Sequence, residues 1–103
     1  TRPLFEEYEG KKYSYGSFII RIGSDSEVSV WNEQPLHPLG MPHPHIAKNG
    51  GPCFGNATDA ITKAAADHKY ADTIHYILMW LTRGYSPELA EIKIEEWPEA
   101  SNE

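Results

Sequence analysis

Residues 18–31, FIIRIGSDSEVSVW, are the stretch that decides the fold. On both sides of the polar cluster Gly23–Ser26, β-branched or aromatic residues recur at every second position. The recurring set is Phe18, Ile20, Ile22, Val28 and Val30. This alternation predicts two half-buried strands. Two strands joined by a short polar turn form an antiparallel hairpin.

A helix is predicted downstream, in residues 73–81, TIHYILMWL. Its apolar residues fall at i, i+3, i+4 and i+7, which places them on one helical face. That face consists of Ile74, Ile77, Leu78 and Leu81. The helix should open at Asp72 or Thr73 and end at Gly84 as a C-cap.

A shorter helix is predicted before it, capped by Thr58 or Asp59 and running to Ala65, because this stretch is rich in good helix formers. Residues 87–97 could be a third, acidic helix or a strand. Strands followed by helices predict an α+β domain: a small antiparallel meander, a long loop, then helices packed on the sheet. The residues expected to be buried are Ile20, Ile22, Val30, Ile74, Ile77, Leu78 and Leu81.

Between hairpin and helices lies a long segment without regular structure. Five prolines remove backbone donors and four glycines add freedom over residues 35–55. A loop of this length in a small domain is usually functional or disordered. The side chains in this loop that can pack or bond are too many for simple disorder: His37, Met41, His43, His45, Ile46, Cys53 and Phe54. The function is therefore predicted to reside in this loop.

Composition limits the functional classes. The chain has 103 residues, enough for one domain, and a formal net charge of −6. An acidic balance argues against nucleic-acid binding, and no apolar run approaches the ~18 residues of a membrane span. The single cysteine, Cys53, excludes an internal disulfide and favours a reducing, cytoplasmic setting.

The stretch from His43 to Phe54, HPHIAKNGGPCF, resembles the active-site segment of the ubiquitin-conjugating (E2) enzymes. In that family a His-Pro-Asn tripeptide, an aliphatic residue, an Asn-Gly turn and a catalytic Cys recur at this spacing. The helix sequence from Thr73 to Leu81 is similar to a second family motif, and the hairpin fits the E2 meander. The resemblance covers roughly residues 13–85 and is most specific around Cys53.

The resemblance implies an E2-like fold and a cysteine transferase that carries a ubiquitin-like protein as a thioester on Cys53. Its partners would be that ubiquitin-like protein, an E1-like activating enzyme and a protein acceptor, with no cofactor or metal. A thiolate is both a nucleophile and a good leaving group, as thioester exchange requires. The tetrahedral intermediate also needs a donor aimed at its oxyanion.

The implied site residues are Cys53, His45, Asn49 and His43. His45 stands where the family's Asn supports the oxyanion or the loop, and Asn49 and Asn56 are other amide candidates. His43 is expected to pack or hydrogen-bond locally. The carboxylates that could assist deprotonation of the acceptor amine are Asp59, Asp67 and Asp72.

Some features depart from the family pattern. The Trp that usually follows the Cys is missing, the stretch from Cys53 to Thr73 is long, and no N-terminal helix is evident. These departures suggest a divergent, prokaryotic or viral member. The expected divisions of this single domain are an N-terminal arm (1–12), a β-hairpin or meander (13–34), the active-site loop (35–56), helices (57–85) and an acidic C-terminal segment (86–103).

Two alternatives stay open. His43, His45 and Cys53, together with His37, are ligands of types that zinc accepts, although their spacing matches no standard zinc motif. The chain could also be an inert E2-like or RWD-like interaction module, since a fold does not determine function.

Overall fold

The computed structural model describes residues 1–46, 54, 57–88, 90 and 92–100. Within them the chain forms four strands, two α-helices and a late 3-10 turn, so the predicted α+β class is confirmed. In chain order the elements are β1 (Leu4–Tyr8), β2 (Lys11–Gly16), β3 (Phe18–Ile22), β4 (Val28–Asn32), α1 (Thr58–Ala66), α2 (Tyr70–Arg83) and the 3-10 turn Ile94–Glu96.

The predicted hairpin is confirmed as β3 and β4. They pair antiparallel with Ile20 opposite Val30 and Ile22 opposite Val28. Phe18 and Val30 are completely buried, whereas Ile19 is half exposed. The alternation seen in the sequence is therefore the alternation of the two sheet faces.

Residues 1–12, expected as an N-terminal arm, contain strand β1, which pairs antiparallel with β2. The strands are joined by Glu9 and Gly10, both with positive φ (51° and 80°). A two-residue connection with two positive φ angles matches the right-handed twist of a hairpin.

The four strands form two separate two-stranded sheets rather than one meander. Gly16, with φ of 84°, is the last residue of β2 and redirects the chain into β3. The outer edge of β2 is covered by the C-terminal segment: Ser14 N–H donates to Pro98 O (2.8 Å) and Ala100 N–H donates to Lys12 O (2.7 Å). Within residues 87–97, for which a helix or a strand was predicted, Ile94–Glu96 form a short 3-10 turn that leads into this pairing.

Both predicted helices are confirmed, but their starts differ. The N-cap of α1 is Ala57, so neither Thr58 nor Asp59 occupies that position. α2 begins at Tyr70, two residues before the predicted start, and ends at the predicted C-cap, Gly84. The Gly84 N–H donates to Trp80 O over 2.9 Å.

The core lies between α2, α1 and the inner faces of the strands. Of the residues expected inside, Val30, Ile77 and Leu81 are buried, while Ile20, Ile22 and Leu78 are partly buried. Ile74 is 40% exposed, so its predicted burial is wrong. The inward stripe of α2 is Thr73, Ile77, Trp80 and Leu81.

Thr73 can replace an apolar residue on that stripe because its hydroxyl donates to Lys69 O over 2.8 Å. Among the described residues no helix is long and apolar enough to cross a membrane.

Candidate functional site

The predicted active-site loop contains a tight, buried turn at its His-Pro-His sequence. The N–H of Ile46 donates to the carbonyl of His43 over 3.1 Å, which closes a four-residue turn with Pro44 at its second position. Pro favours that position because its φ is fixed near −65°. Every residue from Pro42 to Ile46 is buried, so the turn is part of the core.

His43 connects this turn to α2. Its Nδ1 accepts the N–H of His45 (3.1 Å), so its proton lies on Nε2, which donates to Leu81 O (2.8 Å). Burial lowers the pKa of His43 to about 3, although the bond to Leu81 partly opposes that shift. His43 is thus a neutral, structural imidazole, which agrees with the local role expected for it.

His45 is also buried, with 4% of its surface exposed. Its Nε2 accepts the backbone N–H of Ser86 over 3.0 Å. Its ring lies between Trp80 and Tyr85, with centroid distances of 6.0 and 5.8 Å. Because Nε2 uses its lone pair, the neutral ring carries its proton on Nδ1.

Trp80 of α2 forms the apolar wall behind the two histidines. Its ring stacks on His43 at 5.2 Å and meets Phe54 edge-on at 4.8 Å. Aromatic pairs of this geometry add to the stabilisation that burial alone provides. Trp80 therefore packs against both the turn and the residue that follows Cys53 in the chain.

A buried carboxylate, absent from the sequence prediction, lies behind the turn. Glu6 of β1 is 4% exposed. Its Oε1 accepts the hydroxyl of Tyr15 (2.7 Å), and its Oε2 accepts the N–H of Tyr85 (3.0 Å). Burial raises the pKa of Glu6, and the two donated hydrogen bonds partly oppose the increase.

Little in the sequence could have revealed this group. Glu6 breaks the apolar alternation of its strand, and Ser86 contributes only a backbone N–H, which any residue but proline provides. Trp80 is 7% exposed and belongs to the core.

The predicted nucleophile Cys53 and the amides Asn49 and Asn56 lie outside the described residues. The described residues on either side of the Cys53 segment are Ile46, fully buried, and Phe54, 9% exposed. Both belong to the main hydrophobic cluster.

The three candidate carboxylates lie at helix ends. Asp59 is in the first turn of α1 and Asp72 in the first turn of α2. Asp67 and Asp72 line a shallow cavity of about 250 Å³ that Lys63 and Lys69 also line. The structure brings two of these carboxylates together, with lysines beside them, at one end of the helical pair.

The histidine geometry bears on the zinc alternative. Both ring nitrogens of His43 are engaged, and Nε2 of His45 is engaged. His37 accepts the N–H of Leu39 at Nδ1 (3.0 Å) and donates from Nε2 to Glu96 (2.9 Å). Within the part of the chain that the structure describes, no three His, Cys, Asp or Glu side chains are grouped to hold a metal. A metal on His43 or His37 would have to displace an existing hydrogen bond.

No family model matches this chain, and comparison with curated proteins and with solved structures found no match.

Proposed function

We propose that this chain is an E2-like domain that carries a ubiquitin-like protein as a thioester on Cys53 and transfers it to an amine of a protein acceptor. The proposal rests on the sequence resemblance around Cys53. The observation that supports it best is the anchored His-Pro-His turn, which His43 ties to α2 through Leu81. A segment that presents a nucleophile benefits from rigid neighbours, because catalytic geometry tolerates little displacement.

In the proposed loading step, the thiolate of Cys53 attacks the carbonyl carbon of the thioester on an E1-like enzyme. A new C–S bond forms, the old C–S bond breaks, and the E1 thiolate leaves. In transfer, the nitrogen of the acceptor amine attacks the Cys53 thioester, an amide forms and the Cys53 thiolate departs. The amine loses its proton to a base, because an unperturbed lysine has a pKa of about 10.4.

Of the two histidines, His45 suits the role of oxyanion donor better. The Nε2–H of His43 is already donated to Leu81, and its Nδ1 is an acceptor. In His45 the hydrogen bond from Ser86 leaves the ring proton on Nδ1. We therefore assign support of the turn to His43, while His45 keeps the donor role that its position in the resembled motif implies.

The test combines the domain with ATP and with a candidate E1-like enzyme and ubiquitin-like protein, sought first among the products of neighbouring genes. We expect an adduct that a thiol reductant removes. Cys53→Ser should give a reductant-stable oxygen ester or no adduct, because a hydroxyl is the poorer nucleophile. Absence of any adduct on the wild-type domain would favour the inert interaction module.

His45 is tested in the transfer step. His45→Ala should still load but should transfer about 10²-fold more slowly, the order of loss for one oxyanion donor. His75→Ala, on the exposed face of α2, is the matched control and should transfer normally. Equal failure of loading and transfer in His45→Ala would contradict a donor role and indicate loss of the loop structure.

A further inference from the structure

Strand β3 has an open edge. Within the described part of the chain it pairs with β4 alone. The N–H of Glu33 donates to the carbonyl of Ser17 (2.9 Å), so the next pair, Phe18 with Asn32, is a non-hydrogen-bonded one. Because the two kinds of pair alternate in an antiparallel ladder, the N–H and C=O groups of Phe18 and Ile20 point away from β4. A row of such groups at a sheet edge can pair with another chain.

Thr1 already covers the Phe18 end of this edge. The N–H of Phe18 donates to Oγ1 of Thr1 over 3.0 Å, and the amino group of Thr1 donates to the carbonyl of Phe18 over 2.6 Å. The next outward-pointing residue is Ile20, to which no described residue is hydrogen-bonded on this edge. An added strand can therefore pair with Ile20, but it has to end beside Thr1.

An apolar groove follows the same edge. It is a cavity of about 650 Å³ whose walls include Phe18, Ile19 and Ile20 of β3. Successive residues of a strand point to opposite faces of the sheet, so a groove that contacts all three follows the edge rather than one face. Helix α2 contributes Ile74 and Leu78, one turn apart. Ile19 is 50% and Ile74 40% exposed, so the groove presents apolar surface to solvent.

The charge at the groove favours a carboxylate beside Thr1. Arg2 lines the groove, and among the described residues no carboxylate forms an ion pair with it. Glu33 also lines the groove, but it follows β4 and lies across β3 from the open edge. A strand antiparallel to β3 would end at the Thr1 end of the edge, next to Arg2. A guanidinium binds a carboxylate there through charge-assisted hydrogen bonds.

We propose that this edge and groove bind the extended, apolar C-terminal end of a partner protein. Its last residue lies opposite Ile20, donates its N–H to the Ile20 carbonyl and accepts the Ile20 N–H with one carboxylate oxygen. The second oxygen pairs with Arg2. The terminal side chain points to the same face as Ile20, into the part of the groove that Ile74 and Leu78 line, so it is apolar. Binding of this kind adds a strand to a sheet. It goes beyond thioester transfer and does not involve Cys53.

A second copy of this chain fits the edge less well. Two β3 strands paired antiparallel about Ile20 would place Ile22 of each copy opposite Phe18 of the other. Thr1 occupies that position. Each copy also has a formal net charge of −6, which disfavours association. The end of a partner chain meets neither obstacle.

The test uses an N-acetylated peptide, Ile-Thr-Ile-Thr-Ile, with a free C-terminal carboxylate, and the same peptide as its C-terminal amide. In ¹H–¹⁵N NMR titrations of the domain, the acid should shift the amide signal of Ile20 and slow its hydrogen exchange. The amide should bind about tenfold more weakly, because it lacks the charged partner of Arg2.

Two pairs of variants locate the binding. Arg2→Gln should weaken the acid about tenfold and leave the amide unchanged. Arg83→Gln removes the same charge at an exposed position outside the groove, and should bind both as the wild type does. Ile74→Gln should weaken both peptides about tenfold, because it removes an apolar wall. Met79→Gln, on the same helix, is its control: Met79 is 42% exposed and does not line the groove.

Three results would overturn the proposal. The first is no shift of the Ile20 signal with the acid at about 1 mM. The second is equal affinity of the acid and the amide, which would remove the carboxylate from the recognition. The third is sedimentation of the domain alone as a dimer that Ile74→Gln dissociates, because a second copy would then cover the groove. None of these measurements uses ATP or an E1-like enzyme, so their outcome is independent of the conjugation test.

Discussion

The imidazole of His43 donates a hydrogen bond to the carbonyl of Leu81 over 2.8 Å. Leu81 lies in the last turn of α2, where the backbone carbonyls have no hydrogen-bond donor within the helix. His43 therefore satisfies a carbonyl that the helix leaves open, and at the same time attaches the loop to the core.

Replacing His43 should destabilise the domain strongly. His43→Ala removes a buried ring stacked on Trp80 and leaves the carbonyl of Leu81 without its donor. We expect a loss of about 3 kcal/mol in the free energy of unfolding, from the unpaired carbonyl and the cavity together. Urea unfolding at neutral pH measures it.

Two further variants qualify that result. His43→Gln should lose less than His43→Ala, because its amide can still donate toward Leu81. His75→Ala, on an exposed residue of α2, should change stability by less than about 0.5 kcal/mol. A His43→Ala protein as stable as the wild type would show that the bond to Leu81 contributes nothing.

Acid should destabilise the domain through His43. Burial lowers its pKa from 6.5 to about 3, so between these values the unfolded chain binds a proton that the folded protein does not. The stabilisation is therefore fully present above pH 6.5 and is lost as the pH falls toward 3. The free energy of unfolding should fall by about 2 kcal/mol between roughly pH 7 and pH 5.

The comparison with His43→Gln isolates this effect. Glu6 acts with the opposite sign: its raised pKa means that the folded state takes up a proton at a higher pH than the unfolded chain. That contribution is present in acid and is lost as the pH rises through the raised pKa. Glu6 is common to both proteins, so the wild type should lose more stability than His43→Gln over this pH range, and equal losses would contradict a buried neutral His43.

Zinc should not be needed for folding. His43 and His37 each use both ring nitrogens within the protein, and binding a metal there would break a hydrogen bond. We expect the purified domain to hold no stoichiometric zinc and its urea midpoint to be unaffected by a chelator. A midpoint that falls with chelation and returns with zinc would revive the metal alternative, since metal binding would then be coupled to folding.

Sequence patterns predicted an element correctly where the pattern repeats within a few neighbouring residues. The hairpin of β3 and β4 could be predicted because each strand shows its apolar face at every second residue. The end of α2 at Gly84 could also be predicted from neighbouring residues. A side chain there would approach Trp80 O to 2.6 Å, so the close contact favours glycine.

The hairpin of β1 and β2 could not be predicted in the same way. Its inner face in β1 carries Glu6 between Leu4 and Tyr8, so the apolar alternation is interrupted at the buried centre of the strand. A charged residue normally indicates an exposed position. Only the hydroxyl of Tyr15 and the N–H of Tyr85, distant along the chain, make its burial possible.

The buried face of α2 could also be predicted only in part from the sequence. The sequence favoured Ile74 over Thr73 because an isoleucine is more apolar. The structure buries Thr73 and leaves Ile74 40% exposed. The hydrogen bond of the Thr73 hydroxyl to Lys69 removes the cost of burying it, and the stripe through Ile77, Trp80 and Leu81 then faces the core.

The sequence by itself determined the α+β class, the hairpin and both helices, because these depend on short-range periodicity and on residue type. Only the tertiary structure decided what the two histidines do. A ring nitrogen becomes a donor or an acceptor according to its partner, and the partners of His43 and His45 include Leu81 and Ser86, 38 and 41 residues away. Such pairings depend on how the elements pack, which no local pattern in the sequence records.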